Sequence, residues 1–126
     1  MGTLADRRDT RRIILDSDFA IAFSLKGYAY QDIRITNVSV GGCFALVGSR
    51  DARLFMRGAT LESLILLHPE LPKEPITAVV SYVLGGRPGQ EAMDFVGVGI
   101  QFLSMEESTR NALTTWIDAA IASQQG

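Results

Sequence analysis

Four arginines crowd the segment Arg7-Arg8-Asp9-Thr10-Arg11-Arg12, with Arg8 and Arg12 four residues apart. That spacing brings two side chains to one face whether the backbone is extended or helical. A guanidinium donates two parallel hydrogen bonds to a phosphate through its planar fork, and its flat face stacks on a base. The cluster therefore suits a small phosphorylated ligand, although a solvated basic tail has the same composition. A second patch, Asn37-Val38-Ser39-Val40-Gly41-Gly42, follows a run of alternating apolar residues. Strict alternation places Asn37 and Ser39 on the side that Ile33 and Ile35 occupy, so the strand presents a donor and acceptor pair where it leaves the core. Gly41 and Gly42 then allow positive φ or a close backbone approach by a ligand. An ordinary turn uses the same residues.

The rest of the inventory excludes more chemistry than it offers. One cysteine and one histidine among 126 residues cannot form a cysteine/histidine zinc site or a disulfide within the chain. His68 follows an apolar run and precedes a proline, which reads as a strand end and not as the base of a triad. Cys43 reads as a small buried side chain. Gly85 to Gln90 lacks the Gly-Lys-Ser/Thr ending of a phosphate-binding loop, and no carboxylate pair sits in a catalytic setting, so the chain is not expected to be an enzyme. The net charge of −2 is uneven. Residues 1–12 hold four arginines against two aspartates, a local +2, and the remainder holds 8 basic and 12 acidic residues, or −4. Aromatics are not interleaved with basic residues, so neither duplex nor single-stranded nucleic acid is an expected partner. Met1 to Arg12 holds no apolar stretch that could be a signal peptide, and no segment approaches the ~20 apolar residues of a membrane span, which points to a cytoplasmic protein without membrane insertion.

These groups need a scaffold, and periodicity supplies one. Phe19, Ile21, Phe23 and Leu25 alternate with Ala20, Ala22 and Ser24, predicting a strand over 13–25. Residues 28–39 predict a second, with a bulge near Gln31 and Asp32 where the apolar parity slips by one. Residues 43–47, 59–68, 76–84 and 94–103 predict four more, with 48–58 as a loop anchored by Leu54 and Phe55, 69–75 as a proline-rich connector and Gly85 to Gly89 as a turn. Six strands with no helix between them predict an all-β antiparallel barrel or sandwich. Ser104-Met105-Glu106-Glu107 matches a capping box, and Leu113, Trp116, Ile117, Ala120 and Ile121 recur at helical spacing, predicting a closing helix over 105–124. Its apolar stripe is expected to cover an open part of the sheet.

Arg8-x-x-x-Arg12, followed by Asn37-x-Ser39-x-x-Gly42, resembles the two-part signature of PilZ domains, bacterial receptors for cyclic diguanylate (c-di-GMP). The glycine-containing strand Val96-Gly97-Val98-Gly99-Ile100-Gln101-Phe102 and the closing helix extend the resemblance along the chain. It implies a six-stranded PilZ-type β-barrel over 13–126 with a C-terminal helix, preceded by a flexible ligand clamp over 1–12. It also implies c-di-GMP as ligand with no cofactor or metal, bound by Arg7, Arg8, Arg12, Asn37, Ser39, Gly41 and Gly42. In PilZ sequences the second arginine usually abuts the first apolar residue of the first strand, here Ile13, so the resemblance implies Arg8 and Arg12 over Arg7 and Arg11 as the motif pair. In the family an arginine just before the motif, here Arg7, tends to accompany two mutually stacked ligand molecules, so the resemblance implies that stoichiometry. Asn37 stands where many members have Asp, and Gln101 where arginine is frequent. Tyr82 lies where an aromatic stacks on a guanine or packs. The implied role is a receptor that signals to a protein partner in trans, as a monomer or weak homodimer, in motility or biofilm control. The alternative is an adaptor that binds no nucleotide and acts through protein contacts in pilus or flagellar control.

Overall fold

A computed structural model describes residues 13–15, 19–85 and 95–125. The strands are β1 (Ile13–Ile14), β2 (Ala20–Leu25), β3 (Tyr28–Ser39), β4 (Gly42–Gly48), β5 (Thr60–Leu67), β6 (Ile76–Leu84) and β7 (Phe95–Ser104), and the chain ends in helix α1 (Glu107–Gln125). β2, β5, β6, β7, β4 and β3 pair in that order, all antiparallel, and β3 also pairs with β2. The result is a closed six-stranded barrel with a C-terminal helix, one of the two arrangements the periodicity allows and the one the resemblance implies. Among the described residues, closure leaves no long unpaired sheet edge.

Phe19, Ile21, Phe23 and Leu25 all enter the core, so the period-two reading of this segment holds. The single strand expected over 13–25 is interrupted, however. Leu15 N donates to Thr36 O at 2.8 Å and Ile35 N donates to Phe19 O at 3.1 Å, so residues four apart in the chain bond to neighbours in β3. The bulge expected near Gln31 and Asp32 is present: Ile21 pairs with Ile33, but Phe23 pairs with Tyr30, and Asp32 takes φ 54°. The sixth strand begins at Phe95, and residues 86–94, which include most of the expected turn, lie outside the described residues.

Each mouth of the barrel has its own plug. At one, α1 buries Leu113 and Ile117 and packs Trp116, Ala120 and Ile121 against the core, the use expected for its stripe. Trp116 meets Phe19 and His68 edge-on at 5.3 and 5.1 Å between ring centres. His68 is thus built into the wall just past β5, where its Nδ1 accepts from Glu70 N at 3.1 Å. At the other mouth, the loop expected over 48–58 contains a 3-10 turn, Ser49–Leu54, and delivers Phe55 into the core against Phe23 and Tyr30. Tyr30 hydrogen-bonds Asp51 of that turn, and burial together with the Asp51 charge pushes its hydroxyl up from its ordinary range. Tyr30 therefore remains a protonated donor at neutral pH. Cys43 is buried.

The helix starts at Glu107, later than the capping-box reading places it. Ser104 is still in β7, paired with Thr77, and so does not cap. Glu74, from the connector before β6, adds a carboxylate to this helix end, accepting from Ser108 Oγ at 2.6 Å and Thr109 Oγ1 at 2.7 Å. Both bonds hold the Glu74 carboxyl below its ordinary range, and a carboxylate there also suits the positive end of the helix dipole. A lowered folded pKa gives stability that is present above the unfolded value, about 4.3, and is lost as pH falls through the folded value. Acid unfolding followed by circular dichroism should therefore show Glu74→Gln losing less stability than the parent between neutral pH and the acid side of that window.

Candidate functional site

The polar pair of the second patch lies on the outer wall of the barrel. Ile35 pairs with Ala45, but Asn37 pairs with Phe44, so Thr36 is an extra residue in β3. This bulge reverses the parity: Val38 joins Ile35 in the core, while Asn37 and Ser39 take the opposite face. Strict alternation placed Asn37 and Ser39 beside Ile33 and Ile35, and the Thr36 bulge corrects that placement.

Ser39 is 1% exposed. Its Oγ accepts from Gly41 N at 3.2 Å and donates to Gly42 O at 3.4 Å, so the hydroxyl organises the turn into β4. The second bond is at the long limit for a hydroxyl, so redirecting that proton costs little. Positive φ is found at Gly27, Gly58 and Gly85 and not at Gly41 or Gly42. What requires glycine at 42 is its neighbour in β7: a Cβ there would overlap the carbonyl oxygen of Ile100. The Ile100 backbone thus approaches Gly42 closely. Gly41 is exposed, and its carbonyl accepts from Phe102 N at 2.8 Å.

Strand pairing extends this corner across the wall in two rows. One runs Asn37, Phe44, Gly99, Tyr82 and the next runs Ser39, Gly42, Gln101, Val79. Gly97 and Gly99 are outward positions of β7, since Val96, Val98 and Ile100 fill the core. A Cβ at Gly97 would overlap the Phe44 ring, and one at Gly99 would overlap the Tyr82 ring. Both rings therefore rest against the β7 backbone, 6.0 Å apart between centres and inclined by 31°. Tyr82 remains 44% exposed, so the two rings form an aromatic shelf beside Asn37. Phe44 escaped the sequence reading because only the strand register brings it against the β7 glycines. Gln101 is exposed in the row of Ser39 and Gly42. Arg7, Arg8 and Arg12 lie outside the described residues, so the structure brings together only the second half of the signature. The described residues contain no group of three or more His, Cys, Asp or Glu side chains able to hold a metal ion. They also contain no helix long and apolar enough to cross a membrane.

Chemically, the corner presents a half-buried amide, exposed backbone at Gly41 and a flat aromatic surface, above a buried hydroxyl that shapes the turn. It has the means to bind a planar polar molecule. Comparison with known proteins agrees with the architecture. The barrel superimposes on MrkH from K. pneumonia in a c-di-GMP complex with TM-score 0.75 at 19% identity, covering 91% of this chain and 52% of that one. It matches the PilZ domain of YcgR from Escherichia coli with c-di-GMP at TM-score 0.69 and 15% identity, over 94% and 95% of the two chains. The Bacillus subtilis inhibitor of motility MotI/DgrA matches at TM-score 0.62 and 18% identity, over 91% of this chain and 50% of its own. The chain thus spans about half the length of MrkH and of MotI/DgrA. At these identities the likenesses establish the fold. A search of curated proteins finds no match. The model of the PilZ domain matches residues 6–119, from the arginine cluster into the closing helix, and the chain belongs to the PilZ domain family.

Proposed function

We propose that this chain is a non-enzymatic receptor for c-di-GMP. The observation that carries the reading is the position of Asn37-x-Ser39-x-x-Gly42 on the outer wall next to the Phe44–Tyr82 shelf, in a chain that also holds Arg8-x-x-x-Arg12. Residues 1–12 act as the clamp, and the barrel with its helix is the platform. Arg8 and Arg12 pair with phosphate oxygens or guanine acceptors, Asn37 reads a guanine edge, and Ser39 turns its hydroxyl to the ligand. Gly41 and Gly42 keep the corner low. A guanine resting on Tyr82 covers the exposed part of that ring. Arg7 accommodates a second, stacked ligand molecule. Ordering the clamp presents or hides a surface for a protein partner, and the shift in population is bounded by the ligand's preference for the ordered state.

The test is isothermal titration with c-di-GMP, beside Arg8→Ala. Saturation at two ligands per chain supports the stacked pair, and saturation at one overturns it. Absence of binding by the parent overturns the receptor reading. In the same titration, Tyr82→Ala should weaken binding by about 1 to 3 kcal/mol, the usual worth of a base stacked on an aromatic ring, and Tyr82→Phe should retain most of it. Parent-like affinity for Tyr82→Ala would remove the shelf from the site.

A further inference from the structure

The mouth of the barrel plugged by Phe55 carries a surface unrelated to the Asn37 corner. Ser39 and Gly42 stand at one end of β3 and β4, and Tyr28 and Gly48 stand at the other. Around this far mouth Arg50, Arg53 and Arg57 are exposed, and Lys26 is exposed at the tip of the β2–β3 hairpin. These are four of the 8 basic residues beyond residue 12. The single acid of the loop, Asp51, is engaged by the Tyr30 hydroxyl. Among the described residues, no ion pair joins any of the three arginines to a carboxylate. Four large side chains are exposed at this end of the barrel and outside the core: Tyr28 at 61%, Met56 at 60%, and, where β6 ends and β7 begins, Leu84 at 58% and Phe95 at 56%. Tyr30–Phe55 ring packing at 5.4 Å and Phe23–Phe55 packing at 5.9 Å hold the loop against the base of the hairpin, so the surface is backed by core.

We propose that this mouth docks an acidic protein segment bearing an apolar residue, with carboxylates on the arginines and the apolar side chain on Met56 and Tyr28. Arg, Tyr and Met are the side chains enriched in protein interfaces, whereas a surface for polyphosphate needs a longer basic track and fewer exposed apolar groups. Charge range decides in the same direction. At physiological salt the screening length is about 8 Å, so a short segment confined to the mouth feels the local positive charge, and a long polyanion also meets the acidic remainder of the chain. Nucleotide binding at the other end of the barrel is not required.

Fluorescence anisotropy tests this with the whole chain and without nucleotide, using a short labelled peptide of glutamates flanking one leucine and one phenylalanine. The expected result is salt-sensitive binding, weakened roughly tenfold or more in Arg50→Ser/Arg53→Ser/Arg57→Ser, whose exposed positions leave the fold intact by circular dichroism. Met56→Ser should weaken binding with its salt dependence unchanged. Four results overturn the proposal: no binding of the peptide, equal binding of its glutamine counterpart, equal binding by the triple variant, or tighter binding of duplex DNA or phosphatidylglycerol vesicles than of the peptide.

Discussion

Gly42→Ala is expected to destabilise the barrel by about 1 to 3 kcal/mol or more, the range for overpacking a filled interior. The added methyl meets the Ile100 carbonyl, a backbone group fixed where Gly42 pairs with Gln101. No rotamer change relieves that overlap, so β4 and β7 must part at the turn. For a domain of this size the cost lowers the thermal midpoint by roughly 5 to 15 °C, measured by circular dichroism. Gly99→Ala provides the contrast. Its methyl meets the ring of Tyr82, a partly exposed side chain that can swing outward. That variant should unfold closer to the parent and lose the shelf. A parent-like midpoint for Gly42→Ala, with weakened c-di-GMP binding alone, would show that ligand approach and not strand packing sets the glycine at 42.

What the sequence made legible was local. Alternation in 19–25, parity slippage at Gln31 and Asp32, and the 3.6-residue recurrence from Leu113 to Ile121 all act between near neighbours, and each has its counterpart in the barrel. What was hidden depends on distant partners. Nothing in Ile35-Thr36-Asn37-Val38-Ser39 marks Thr36 as the bulge, because both Ile35 and Val38 are apolar and either parity reads as a strand. Only the register with β4 settles it, and it moves Asn37 and Ser39 to the outer wall. The shelf was hidden for the same reason, since Phe44, Gly99 and Tyr82 belong to three strands far apart in sequence. Ser104 is a good cap in isolation, and a strand partner claims it. The most informative motif residues were therefore legible by type and spacing, while the face they occupy was not.

The double substitution Arg8→Ala/Arg12→Ala should give the largest functional effect. A hydrogen bond to a charged group contributes about 1.5 to 3 kcal/mol. Losing one such contact from each arginine would weaken c-di-GMP binding by about 3 to 6 kcal/mol, roughly a hundredfold to twenty-thousandfold. Asn37→Ala, which removes a neutral amide from the half-buried end of β3, should cost about 0.5 to 1.5 kcal/mol. The thermal midpoint distinguishes binding from folding. Measured without and with ligand, the parent should show a ligand-induced rise in midpoint that the double variant lacks. Lysine at both positions separates charge from shape: it retains two cations but loses the planar fork and the flat face, and only partial recovery is expected. Full recovery by lysine would mean that the segment contributes long-range attraction alone, in which case raising the salt should weaken parent and lysine variant alike. Retained affinity in the alanine variant would remove Arg8 and Arg12 from the site and shift the binding energy to the Asn37 corner, its aromatic shelf and the remaining arginines, Arg7 and Arg11.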